Sequence, residues 1–210
     1  PMTDWKTSIS SSGENAEVRG ESLENVMDMN FSDAIFLILK GEKPEKKEAE
    51  MFNTILSSCI DHGVGNPSTV SARTVQSGGN DMNTSVAAGI SALGDKHGGA
   101  IEECMELLQS QASVKEIVRE KLENREKIPG LGHKVYKDKD PRSQKMLEKA
   151  ENLGLKGEFT EKMLEIQEIF GEEKVDLVLN VDGAIAGVMS DLGFEPELGK
   201  GFFIIARTPG

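Results

Sequence analysis

Aromatic residues are scarce in this chain: eight Phe, one Trp and one Tyr make up 5% of its 210 residues. Runs that alternate Val, Ile, Thr or Tyr with polar residues are also few, so the pattern leans helical. Positive charge is short as well. Lys and Arg number 24 against 36 Asp and Glu, a net charge of −12. That balance excludes general nucleic-acid binding, which needs a dominant basic face. No apolar run nears the roughly 20 residues that a membrane-spanning helix requires. The opening residues, PMTDWKTSIS, lack the charged-then-apolar order of an export signal. The expectation is a cytoplasmic chain with no membrane and no nucleic-acid partner. Cysteine is limited to Cys59 and Cys104, both at apolar positions of helical patterns, and they read as small buried hydrophobes. The three histidines, His62, His97 and His133, lie far apart and never at the short spacing of a metal motif, so no metal is expected.

Against this acidic background one stretch stands out, KIPGLGHKVYKDKDPRSQK (Lys127–Lys145), with six basic residues and two acids. Pro129, Gly130 and Gly132 break regular structure before His133, which predicts a loop. Asp140-Pro141 then reads as the N-cap and first residue of a helix. A glycine loop, a histidine, clustered cations and a helix start point to a site for an anionic ligand; a solvated basic turn is the plainer reading.

At this length the chain makes one substantial domain or two small ones. Residues 1–20 are polar and read as extended or poorly ordered. A helix capped by Asn30 or Ser32 runs through AIFLILK to Gly41 and is expected to be buried. The next, about Glu45 to Ile60, places Phe52, Ile55, Leu56, Cys59 and Ile60 on one face. Asn66-Pro67 starts another. Asn80 or Asp81 caps one from Met82 to about Leu93, whose small residues allow close helix packing. His97 stands in a glycine turn before a helix with Ile101, Cys104, Met105 and Leu108 on one face. A helix start disfavours the imidazolium, so this ring should stay neutral. Further helices carry Val114, Ile117, Val118 and Leu122, then Met146, Leu147, Ala150 and Leu153. Thr160 is read as the cap of a helix to Phe170. Val175–Val181 fits a buried strand by periodicity alone. Asp182 interrupts an apolar stretch and must be capped, paired or catalytic.

Five stretches, DHGVGNPS (61–68), LGDKHGGAIE (93–102), PGLGHKVYKDKDPR (129–142), NVDGAIAG (180–187) and FFIIAR (202–207), occur in the order found in the citrate synthase superfamily, which the chain resembles. The resemblance implies an all-α fold, with Val175–Val181 and Phe202–Ala206 as helix or loop. It implies a large helical domain of residues 1–105 and 183–210, a small CoA-binding domain of residues 106–182 inserted into it, and a homodimer. By the same resemblance the catalytic residues are His97 at the thioester carbonyl, Asp182 at the acetyl methyl proton and His133 at the oxaloacetate carbonyl or citryl hydroxyl. His62, Arg142 and Arg207 hold the dicarboxylate, and Ser68 orients the first histidine. Pro129, Gly130, Leu131, Gly132 and Lys137 form the CoA-binding segment.

Only 61 residues precede His62, and the form NVDG-x-I differs from the bulkier residue that synthases place after the aspartate. Both features resemble citryl-CoA lyases and the C-terminal module of ATP citrate lyase. The implied reaction is cleavage of citryl-CoA to acetyl-CoA and oxaloacetate, with the coenzyme A thioester as substrate or product and no tightly bound cofactor. His133 is expected to accept the hydroxyl proton. A separate citrate-activating CoA ligase is a further candidate partner. The alternatives are a citrate or 2-methylcitrate synthase running the condensation, and a non-catalytic module that binds CoA or a partner. The family continues past the ARTPG position with an arginine-bearing helix. This sequence stops at Gly210 and opens without a start methionine, so it is open to being a piece of a longer protein.

Overall fold

The computed structural model describes residues 7–173 and 177–210. The chain divides into two compact units, Pro1–Asn53 and Thr54–Gly210.

In the first unit a small antiparallel sheet precedes the helices. Strands β1 (Ser10–Ser11), β2 (Glu17–Val18) and β3 (Glu21–Ser22) lie in that order, with Ser10 opposite Val18 and Val18 opposite Glu21. Arg19 and Gly20 close the second hairpin with φ of 53° and 82°. Two consecutive left-handed residues suit the twist of a two-residue hairpin. This sheet corrects the expectation of an extended or poorly ordered start and is the exception to an all-helical chain; residues 1–6 lie outside the described residues. Short helix α1 (Leu23–Met27) is capped by the Ser22 hydroxyl, and α2 (Phe31–Lys40) ends at Gly41, φ 90°, a left-handed C-cap. The expectation that α2 is buried holds only in part. Phe36 and Leu37 are buried, but Ile38 is 39% and Phe31 81% exposed. Phe36 meets Phe52 edge to face at 5.3 Å. Phe52 belongs to α3 (Lys46–Ser58), which carries the chain across the division.

The second unit is all helix and loop among the described residues. Its centre is α10 (Val181–Asp191), where Val181 and every residue from Gly183 to Ser190 are buried. Around it pack α6 (Ala100–Gln109), α8 (Pro141–Asn152) and α9 (Glu158–Glu173). Helix α7 (Val114–Glu123), started by a Ser113–Glu116 capping box, packs on α9, and α11 (Leu198–Arg207) packs on α6. Helices α4 (Pro67–Ser77) and α5 (Met82–Ser91) form a hairpin, with Gly89 buried in it but Ala87 exposed. As expected, Asn66-Pro67 and Asp140-Pro141 start helices, each with the Asn or Asp side chain accepting a backbone N–H.

Two readings are corrected here. Helix α9 begins at Glu158, so Thr160 lies inside its first turn. The free N–H groups there are met by Asp191 from the end of α10, whose carboxylate accepts from Gly157, Phe159 and Thr160 at 2.9–3.1 Å and from the Thr160 hydroxyl at 2.5 Å. The stretch read by periodicity as a strand forms only an isolated bridge, Leu179 to Leu131, before α10 begins at Val181; its first residues, Val175 and Asp176, lie outside the described residues. Phe202–Ala206 is helix, inside α11. Both cysteines are free and buried. Among the described residues no helix is long and apolar enough to cross a membrane, and no group of three His, Cys, Asp or Glu is placed to hold a metal ion.

Candidate active site

A cavity of about 610 Å³ opens in the second unit, and all three histidines line it. Each arrives by a tight turn next to a helix start or end. His62 follows α3. Behind it the Asn66 amide donates to the Gly63 carbonyl at 2.6 Å, while its oxygen accepts from the Thr69 N–H and caps α4. His97 sits in a turn closed by two backbone bonds to Gly94, three residues before α6. His133 ends the glycine loop ahead of α8.

The rings of His97 and His133 are held differently. His97 Nε2 lies 3.0 Å from the Ser68 hydroxyl, which in turn lies 2.7 Å from the Asn66 side-chain oxygen. One hydroxyl proton serves both contacts. Given to Asn66, it leaves the serine oxygen to accept from Nε2–H; given to His97, it puts the ring proton on the other nitrogen. The Phe203 ring stands edge to face against the imidazole at 6.0 Å. Burial, followed by the Arg207 charge, holds the His97 pKa below the ordinary histidine value, in line with a neutral ring. His62 is lowered by burial first and then by Arg142 and Arg207.

His133 is held by its own backbone. The N–H groups of Val135 and Tyr136 donate to its Nδ1 at 3.1 and 3.0 Å. A nitrogen that accepts carries no proton, so the neutral ring is protonated on Nε2. That nitrogen lies 3.2 Å from Arg142 Nη2, also a donor. Two donors thus converge, as they would on a shared ligand oxygen. Arg142 is itself fixed by Asp140, which is 0% exposed. The Asp140 carboxylate accepts from the backbone N–H, Nε and Nη2 of Arg142 at 2.8–3.0 Å, and from the Val181 N–H at 3.2 Å. Burial alone would raise its pKa, but the hydrogen bonds from Arg142 win and hold it below the usual carboxylate range.

Asp182 is the second residue of α10 and is not its cap; Asn180 is. Burial pushes the Asp182 carboxyl above the ordinary aspartate value, against the pull of Arg142, His62 and Arg207. Arg207, at the end of α11, donates from Nε to the Cys59 carbonyl at 2.6 Å and lays its guanidinium 4.8 Å over the Phe203 ring.

His62, His97, His133, Asp182, Arg142 and Arg207 therefore share one chamber, and Ser68 is buried directly behind His97. Of the glycine loop, Gly132 reaches the cavity wall, and Pro129, Gly130 and Leu131 do not line it. Lys137 is exposed, and its Nζ donates to the His133 carbonyl at 3.0 Å. Sequence reasoning passed over Cys59, Phe203, Asn66 and Asn180 as wall residues. The asparagines carried a signal, since each stands just ahead of a helix; Phe203 lies inside the FFIIAR stretch, whereas nothing local marks Cys59.

A sequence model of the citrate synthase C-terminal domain matches residues 7–210. Citrate synthase 2 of Bacillus subtilis is 36% identical over 90% of this chain and 52% of its own. The chain spans about half the length of the curated relatives it matches. Among solved structures, citryl-CoA lyase from Hydrogenobacter thermophilus is similar with a TM-score of 0.93 and 46% identity, over 98% of this chain and 83% of that one. ATP citrate lyase from Methanothrix soehngenii, in complex with citrate and coenzyme A, gives 0.88 and 26%, over 100% of this chain and 38% of its own. In sequence, helical architecture and the order of its motifs, this chain belongs to the citrate synthase family.

Proposed function

We propose that the protein is a citryl-CoA lyase that cleaves citryl-CoA to acetyl-CoA and oxaloacetate. The observation that carries this reading is the convergence of His97, His133, Asp182, Arg142 and Arg207 on one cavity, from segments scattered along the chain. Likeness to the lyase of Hydrogenobacter thermophilus over 83% of that chain supports the cleavage direction. So does Gly183, the residue after the aspartate. A Cβ there would meet the Gly130 carbonyl oxygen and a Leu179 methyl, both at 2.7 Å, so the bulkier residue of the synthases has no room.

In this reading Arg142 and Arg207 grip carboxylates with planar forks that lysine lacks. The converging donors of His133 and Arg142 hold the oxygen that becomes the oxaloacetate carbonyl. The base role expected for His133 needs its other tautomer, which the two backbone bonds at Nδ1 oppose, so we assign it to donate. The citryl hydroxyl proton then passes to solvent in the open cavity as the carbon–carbon bond breaks, and Asp182 regains a proton from solvent after giving up its own. His97 stabilises the enolate oxygen of the departing thioester. Asp182, whose burial favours the protonated form, delivers a proton to the enol carbon. Pro129–Gly132 and Lys137 bind the coenzyme. We further propose the division into a large domain (1–105 and 183–210) and a small one (106–182), a cytoplasmic homodimer, and a separate citrate-activating CoA ligase that supplies the substrate.

The donor tautomer of His133 also favours a second reading, citrate synthase, because a donor polarises an oxaloacetate carbonyl for condensation. Supplying citryl-CoA in one assay and acetyl-CoA with oxaloacetate in another separates them. Acetyl-CoA released from citryl-CoA is expected. Turnover only in the condensation assay overturns the lyase reading, and CoA binding without turnover in either marks a non-catalytic module.

A further inference from the structure

His133 and Asp182 come from segments far apart in sequence, and one side chain joins the two. Asn180 Oδ1 accepts from the N–H groups of Asp182 and Gly183 at 3.0 and 3.1 Å, capping α10. Its Nδ2 donates to the carbonyl of Gly132, the residue before His133, at 2.9 Å. Its own backbone N–H donates to the Gly130 carbonyl at 3.0 Å, and the Gly132 N–H returns a bond to the Val178 carbonyl at 2.7 Å. The two segments also touch without side chains between them. A Cβ on Gly130, φ 85°, would meet the Gly183 Cα at 2.6 Å. Three hydrogen bonds from the stretch 178–180 thus hold the glycine loop, and a fourth group of that stretch, Asn180 Oδ1, caps the start of α10.

We propose that Asn180 is a positioning residue that sets the place of His133 relative to Asp182, its amide working as a two-ended clasp. This rests on the reading of those two side chains as reacting groups. Capping alone would not require asparagine, because aspartate caps helix starts as well and adds a favourable charge at the N-terminus. The donor end is different. Aspartate would set a carboxylate oxygen against the Gly132 carbonyl, two acceptors with no proton between them. Asn180 therefore does something for the loop that an aspartate in its place would not, while doing the same for the helix.

The test uses Asn180→Asp and Asn180→Ala in the whole chain. It reads hydrogen exchange of the amides of 130–136 and of 184–190, together with kcat and KM on citryl-CoA. For Asn180→Asp the melting temperature stays near the parent and the 184–190 amides keep their protection. The 130–136 amides exchange at least tenfold faster. Misplacing a reacting group by about an ångström costs up to roughly 100-fold in rate, so kcat falls by tenfold or more with KM little changed. Asn180→Ala loses protection in both segments. Parent-like exchange of 130–136 in Asn180→Asp overturns the proposal. If kcat falls without that change in exchange, the new charge beside Asp182 is responsible, and the proposal is overturned too. A parent protein that turns over neither substrate set refutes the lyase reading and leaves the exchange arm to decide on the clasp.

Discussion

The turns that carry His97 and His133 look alike in sequence, a histidine among glycines ahead of a helix, yet they fix their rings by opposite means. His133 is set by two backbone N–H groups within three residues of itself, and its tautomer is a property of the loop. His97 is set by a hydroxyl 29 residues away on another helix, and that hydroxyl has a competing acceptor in Asn66. Rotating one O–H bond changes what His97 offers a ligand; changing His133 means rebuilding a turn. One member of the pair is rigid in its chemistry and the other is adjustable.

The largest expected effect falls on the proton donor that shares their chamber. Asp182→Asn keeps shape but cannot deliver a proton, so cleavage should drop by roughly 10²–10⁴-fold. The fold should not suffer. Burial raises the Asp182 pKa, so the folded state charges it later than the unfolded chain does and is penalised as pH rises from the ordinary aspartate value through the raised one. Removing the carboxylate should hold or raise the melting temperature at pH 7, with the gap to the parent closing toward pH 4. A variant with full turnover would remove Asp182 from the chemistry.

Gly183→Ala comes next, because a methyl 2.7 Å from the Gly130 carbonyl must push the loop of His133 off α10. Overpacking of this kind costs about 1–3 kcal/mol. Denaturant melts should show that loss together with reduced turnover, and an alanine variant of parent stability would mean the contact yields easily. The pair itself separates next. Ser68→Ala leaves His97 Nε2 facing a methyl, and one unpaired polar group costs about 1–3 kcal/mol, so kcat should fall roughly tenfold. Val135→Pro deletes one donor to His133 but leaves Tyr136, so the ring keeps its tautomer and the rate should fall less. Nitrogen chemical shifts of the two rings read this directly; an altered His133 tautomer in Val135→Pro would end the contrast.

The smallest effect is on stability against pH. Burial holds His97 and His62 below the ordinary histidine value, so the unfolded chain takes up protons first as pH falls. Their contribution is complete above about pH 6.5 and is lost as pH drops through the lowered values. Melting temperature should decline from pH 7 to pH 5, and His97→Gln should flatten part of that slope.

How much of this was legible depended on distance along the chain. Helix starts with their own caps, Asn66-Pro67 and Asp140-Pro141, were read correctly because cap and helix are neighbours. The start of α9 was misread because its cap, Asp191, arrives from more than thirty residues downstream. Helix α2 was expected to be buried from composition alone, which says nothing about which side of an apolar helix finds a neighbour. The histidines and Asp182 were found by motif, but Asn180 was overlooked. The acid two residues later drew the attention, and the loop that the asparagine clasps is remote in sequence. The sheet at Ser10–Ser22 rests on two left-handed turn residues, Arg19 and Gly20, and the first of them gave no warning.

The two buried thiols turn the site into its own clock. Burial pushes the Cys59 thiol up to about 11 and Cys104 higher still, so neither is a ready nucleophile while the fold is closed. Cys104 sits beneath the Gly130 turn, 3.1 Å from where a side chain there would begin, and the Cys59 carbonyl is the anchor of Arg207. A thiol reagent therefore meets Cys59 at the cavity wall as an un-ionised thiol, and reaches Cys104 only at the pace at which its neighbours part. Cys104 times the lifting of the His133 loop and Cys59 the entry of reagent into the chamber, so two labelling rates report on the loop and on the cavity in the unaltered protein.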